Sequence, residues 1–173
     1  MTDTALLIID MQKAMFSDPE KQPDDGAAVL QNIRSLLKSA REKEIPVVFV
    51  QHTAQGKYRE GTPTWELCNE LERRPDEPVV QKAKPDAFLR TSLQETLERL
   101  AVRRLLIVGM QSDCCVRATC LGALKHGYRV TLVSDAHSTF SGFFTDGRRI
   151  VEKINRALSK KGVTLRPTAR IFA

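Results

Sequence analysis

A chain of 173 residues has the size of one α/β domain, and a single domain over residues 1–173 is expected. With 42% hydrophobic and 28% charged residues, the composition excludes an intrinsically disordered polymer. The net charge of +6 is dispersed through mixed-sign stretches such as Arg41-Glu42-Lys43-Glu44, so solvated helix faces explain it and nucleic acid is not an expected partner; no apolar run reaches membrane-spanning length.

The first strand is the apolar run Ala5 to Ile9, and it ends at a carboxylate, Asp10. Residues 17–25 are rich in Asp, Pro and Ser and read as a loop, with Asp24 or Asp25 placed to cap the next helix. That helix carries an apolar stripe of Ala28, Val29, Ile33, Leu36, Leu37 and Ala40. A second buried strand, Ile45 to Val50, ends at Gln51-His52. Residues 53–64 form a long loop, which in a compact domain is often functional, and Trp65 to Cys68 reads as one helical turn. Pro78-Val79-Val80 opens a third strand that runs to Gln81-Lys82.

Thr91 and Ser92, with Gln94 and Glu95, make two overlapping capping-box patterns ahead of a helix lined by Leu93, Leu97 and Leu100. Leu105 to Val108 is a fourth strand, halted by Gly109. The pattern from Val116 to Gly127 is a helix, so Cys114 and Cys115 fall at a strand-to-helix turn. Arg129 to Val133 is a fifth strand ending at Ser134-Asp135-Ala136-His137, where Asp135 reads as a turn or capping residue. A final helix is striped by Ile150, Val151, Ile154, Ala157 and Leu158, and Val163 to Leu165 adds a sixth strand. Alternating strands and helices predict a three-layer α/β/α Rossmann-like sandwich with a mainly parallel sheet of about six strands.

In a parallel sheet the carboxyl ends of all strands share one edge, which brings Asp10, Lys82 and the Cys114/Cys115 pair toward a common site. The chemistry of that set is coherent. A carboxylate can take and return a proton, an ammonium can steady a thiolate, and a thiolate can attack an acyl carbon. A thiol near a helix N-terminus also loses its proton more readily. Backbone N–H groups around Gln111 and Cys115 are candidates for an oxyanion hole. Gln12 and Phe16, just past the first strand, and His52, at the end of the second, are candidate substrate-binding residues. Cys68, Cys114, Cys115 and Cys120 match no zinc spacing with the scattered His52, His126 and His137, and no G-x-G-x-x-G follows the first strand, so neither a metal nor another cofactor is expected. With no secretory segment read ahead of the first strand, the thiols are expected free in a reducing cytoplasm.

The residues Leu6 to Gln12, Lys82 with Phe88, Thr91 and Leu93, Gly109-Met110-Gln111 with Cys115-Val116, Gly127-Tyr128, and Val133 to Ala136 together resemble the isochorismatase-like cysteine hydrolases, in order from residue 6 to about 140. The resemblance implies a catalytic triad of Asp10, Lys82 and Cys115, with Lys84 the competing lysine and Cys114 a neighbour. It further implies a covalent thioester on Cys115, a cis peptide between Met110 and Gln111, and a homodimer or homotetramer acting on a small molecule. Nicotinamidases of this family have an Asp-x-His metal site where this chain has Gln51-His52-Thr53. Retention of Cys115 points to cleavage of a carbon–nitrogen bond of amide or ureide type. The alternative is a catalytically idle member that binds or assembles.

Overall fold

The computed structural model describes residues 3–173; Met1 and Thr2, which precede the first predicted strand, lie outside the described residues. Six strands form one sheet: β1 (Thr4–Ile9), β2 (Val47–His52), β3 (Val79–Lys82), β4 (Arg104–Met110), β5 (Arg129–Ser138) and β6 (Thr164–Arg166). Their order is β3-β2-β1-β4-β5-β6, and every neighbouring pair is parallel. Burial on both faces explains the continuous apolar runs read from the sequence, because a strand covered on each side has no polar face to alternate with.

Alternate residues of each strand feed two separate cores. Ala5, Leu7 and Ile9 of β1 and Leu105 and Ile107 of β4 pack with α2 (Leu93–Arg99), α3 (Arg117–Lys125) and α4 (Gly147–Ser159) on one face. Leu6, Ile8, Phe49, Val108 and Met110 pack with α1 (Gly26–Glu42) on the other. The three-layer sandwich follows from this alternation. Among the described residues no helix is long and apolar enough to cross a membrane.

Several local expectations are corrected. Neither Asp24 nor Asp25 caps α1 with its side chain: Asp25 adopts a left-handed backbone and pairs with Arg148, while Asp24 accepts from Ser141 and from Gly147 N–H. No reciprocal capping box forms at α2, where Thr91 Oγ1 accepts from Leu93 N–H but Gln94 turns to Glu98 and Tyr128. Residues 65–68 are not a helical turn; Leu67 makes an antiparallel bridge with Gln12, and the short helical turn comes later, at Asn69–Leu71. β5 continues through Asp135 and His137 to Ser138 by way of a register shift against β4, between Ile107 and Gly109. Asp135 is therefore a residue within this strand. Its carboxylate accepts from the N–H and hydroxyl of Thr168.

The strand order reverses between β1 and β4, the position at which open α/β sheets gather ligands. Gly109 brings those two strand ends close together. It lies opposite Ile9 at φ +120°, and a Cβ placed there would come 2.0 Å from the Ile9 carbonyl oxygen. Only a residue without a side chain satisfies both conditions. Gly109→Ala is expected to cost at least about 3 kcal/mol. Thermal unfolding checks this, and an unchanged Tm would show that the approach of β1 and β4 tolerates a side chain.

Candidate active site

Asp10, Lys82 and Cys115 meet beyond the carboxyl edge of the sheet. Asp10 directly follows β1 in a left-handed conformation, φ 48°, which a short polar side chain tolerates. Lys82 is the last residue of β3, two strands and about 10 Å away, a span suited to a long flexible side chain. Its Nζ lies 2.7 Å from Asp10 Oδ2 and 3.2 Å from Cys115 Sγ. Lys84, the competing lysine, is exposed. Cys115 sits in a π-helical turn, Ser112–Val116, that winds directly from β4 into α3, so the helical path begins four residues before the predicted start at Val116. The peptide bond between Met110 and Gln111 at its entrance is cis.

All three groups are buried, Asp10 and Lys82 almost completely. The Lys82 ammonium is the ion-pair partner of the Asp10 carboxylate, and the Cys115 thiol is its second polar neighbour. Burial holds the Asp10 carboxyl above the usual carboxylate range, against the opposing pull of Lys82. For Lys82, burial alone would lower the pKa, but the Asp10 charge and the hydrogen bonds to Asp10 and Cys115 outweigh it and keep the ammonium protonated. The Cys115 thiol is pushed up, first by burial and then by the Asp10 charge. The expectation of a readily ionised thiol is thereby corrected: at rest the sulfur keeps its proton beside a carboxylate that has become a stronger base.

The remaining predicted residues divide. His52 reaches the triad, with Nδ1 3.4 Å from Lys82 Nζ and its ring edge-on to Tyr58, 5.4 Å between centroids. Partial burial and the Lys82 charge favour its neutral form. Gln12 does not present its amide to a substrate. It is fully buried and clips the loop to β2, its Nε2 donating to the His52 and Trp65 carbonyls and its Oε1 accepting from His52 N–H. Phe16 is half-buried against the α1-side core and close to Gly26 at the start of α1. The Gln111 carbonyl accepts from Cys114 and Val116 N–H, and its side chain lies 3.9 Å from Met15 Sδ. Gln51, standing where an Asp-x-His motif would supply its carboxylate, donates to the Trp65 carbonyl.

Two features escape a reading of the sequence. Tyr58, from the 53–64 loop, packs on His52 and donates to Met15 Sδ at 3.2 Å; no local pattern distinguishes it from other loop residues. His137 is buried behind the cysteine turn, its Nδ1 2.8 Å from Ser112 Oγ and its Nε2 3.0 Å from Asn155 Oδ1. Its partners lie 25 and 18 residues away, and neither spacing forms a motif.

Burial lowers the His137 pKa from 6.5 to about 4, with Asn155 and the Asp135 charge opposing the shift. The unfolded chain therefore takes up a proton in a range where the fold refuses it. The contribution is fully present above the unfolded value and is lost as the pH falls toward the folded one, roughly 3 kcal/mol in all. Urea unfolding at about pH 7.5 and about pH 4.5 should show a larger loss for the natural chain than for His137→Asn; equal losses would show that His137 titrates normally. The thiols also separate. With iodoacetamide near neutral pH, exposed Cys114 should be alkylated first, and the buried Cys68, Cys115 and Cys120, whose thiols are all pushed up, only slowly. Peptide mass spectrometry reads the order, and Cys115 reacting first would mean a depressed thiol pKa.

Comparison with known proteins identifies the family. Residues 4–158 match the model of the isochorismatase domain. A streptothricin hydrolase of Streptomyces noursei is 39% identical over 138 residues, covering 79% of this chain and 50% of the relative. The chain spans about half the length of the two streptothricin hydrolases it matches. Nicotinamidase 3 of Arabidopsis thaliana is 32% identical over 154 residues, covering 79% of this chain and 74% of that protein. The crystal structure of an isochorismatase from Pseudomonas putida superposes with a TM-score of 0.89 at 32% identity, over 96% of this chain and 89% of that one. By the extent of these matches and by its sheet, the chain belongs to the isochorismatase family.

Proposed function

We propose that the protein hydrolyses a carbon–nitrogen bond of a small amide or ureide through a covalent thioester on Cys115. One observation carries this: a buried ammonium, Lys82, in contact with both a carboxylate and a thiol, at 2.7 and 3.2 Å. Kinship with proteins named streptothricin hydrolase and nicotinamidase supports the amide class.

Asp10, made more basic by burial, accepts the Cys115 proton as sulfur attacks the substrate carbonyl carbon. The negative charge moves onto the carbonyl oxygen, which the backbone N–H groups of Gln111 and Cys115 receive as an oxyanion hole. Lys82 keeps the anionic site balanced throughout. Asp10 then returns its proton to the leaving nitrogen, the carbon–nitrogen bond breaks and an acyl-thioester is left. A water gives a proton to Asp10 and attacks the thioester; the carboxylic acid departs and Cys115 regains its proton. His52 and Tyr58 flank the entering substrate. The working form is a homodimer or homotetramer in the cytoplasm.

Assay of a panel of nicotinamide, streptothricin and simple ureides tests the reading. Cys115→Ala and Asp10→Asn should each reduce turnover by at least about a thousandfold, and intact-mass spectrometry should detect an acyl adduct on the natural chain but not on Cys115→Ala. The kcat/KM should rise with pH through an Asp10 titration above the usual carboxylate range. Full turnover by Cys115→Ala would overturn the mechanism. Tight binding of a panel member without turnover would favour the idle, binding-only alternative.

A further inference from the structure

We infer that the buried chain Ser112–His137–Asn155 positions the cysteine turn, with Ser112 acting as the hydroxyl donor that locks it. This rests on the reading of Cys115 as nucleophile.

The direction of each hydrogen bond follows from the far end. Asn155 Nδ2 donates to the Ser134 carbonyl at 3.4 Å, which turns Asn155 Oδ1 toward the imidazole. An amide oxygen only accepts, so the His137 Nε2 that lies 3.0 Å from it carries the hydrogen. In a neutral imidazole the other nitrogen is then a bare acceptor, and the 2.8 Å contact at Nδ1 is filled by the Ser112 hydroxyl donating. The lowered His137 pKa is consistent with that neutral ring.

The arrangement looks like a serine–histidine–asparagine catalytic set, but burial denies it that role. Ser112 is fully enclosed and His137 is 2% exposed, so no substrate carbonyl can reach the hydroxyl. What the chain does is mechanical. Ser112 opens the π-helical turn and Cys115 lies three residues on, so a bond from Ser112 to β5, continued to α4 through Asn155, fixes the turn against two elements of the sandwich. The turn's own backbone bonds, from Cys114 and Val116 N–H to the Gln111 carbonyl and from Arg117 N–H to the Ser112 carbonyl, hold its winding but do not tie it to the neighbouring layers. A second tie, Thr139 Oγ1 donating to Asp113 Oδ1 at 2.7 Å, secures the outer side of the same turn. Because Cys115 Sγ sits 3.2 Å from Lys82 Nζ, a displacement of about 1 Å would lose that contact, and errors of this size in a reacting group cost up to about a hundredfold in rate.

Paired variants separate positioning from bulk stability. Ser112→Thr keeps a hydroxyl and Ser112→Ala removes it. His137→Asn leaves an amide oxygen near the Nδ1 position to accept from Ser112, whereas His137→Gln carries its amide out to the Nε2 position beside Asn155 and leaves no acceptor near the Nδ1 position. For a panel substrate turned over through Cys115, Ser112→Ala and His137→Gln should lower kcat by about ten- to a hundredfold with KM changed less than about twofold, and Ser112→Thr and His137→Asn should retain most of kcat. In the natural chain, 15N NMR should report His137 as the Nε2–H tautomer, and the Cys115 and Val116 amides should exchange faster in Ser112→Ala. A wild-type kcat in Ser112→Ala, an Nδ1–H tautomer, or unchanged exchange would each overturn the inference. If Cys115→Ala itself retains turnover, it is the nucleophile reading that has failed, and tautomer and exchange still decide whether the chain holds the turn.

Discussion

Everything at the candidate site depends on a carboxylate and an ammonium enclosed together. Neither charge would be tolerated alone: an isolated ion deprived of water is destabilised by several kcal/mol, and removing one partner leaves the other in that condition. Asp10 and Lys82 stand 2.7 Å apart with almost no solvent contact, and the Cys115 thiol is a second polar neighbour of the carboxylate. The same thiol touches the ammonium and is the proton source for Asp10 in the proposed reaction.

Holding that pair in place requires three strand ends that are distant in sequence. The reversal of strand order between β1 and β4 opens the crevice, and Gly109 draws the two strands together where it starts. β2 lies between Asp10 and Lys82, and its last residue, His52, is the register partner of Lys82. Gln12 secures this arrangement without joining the chemistry, since its amide bonds to His52 on both its N–H and carbonyl. The same logic recurs one layer further out, where neutral polar groups set the position of the cysteine turn.

The fold was legible in the sequence because burial on both faces writes itself as unbroken apolar runs, and helices alternating with such runs admit few arrangements. The meeting of Asp10, Lys82 and Cys115 was legible for a related reason: Asp10 and Lys82 sit at strand ends, and a parallel sheet sends all of those to one edge. The state of the sulfur was not. A helix N-terminus suggests an acidified thiol, but burial and the Asp10 charge are properties of the assembled site and act in the opposite direction. The place of the Gln12 amide is likewise a property of the assembled fold, since its spacing past β1 says nothing about the carbonyls to which it donates. Capping motifs at α1 and α2 failed where the side chains found stronger partners across the fold, Arg148 for Asp25 and Tyr128 for Gln94. The pairing of His137 with Asn155 carries no signal, because it exists only between β5 and α4.

The place of Lys82 at the end of β3 ties the site to the margin of the sheet. β3 is four residues long and has a strand neighbour on one side only. Edge segments with so few backbone bonds open at a small fraction of the free energy needed to unfold a core strand. Asp10 and Cys115, by contrast, stand next to the two central strands. Opening of β3 alone would withdraw the ammonium and leave the carboxylate and thiol behind, and a buried carboxylate without its counter-ion takes up a proton. The ion pair is thus held only as firmly as a four-residue edge strand.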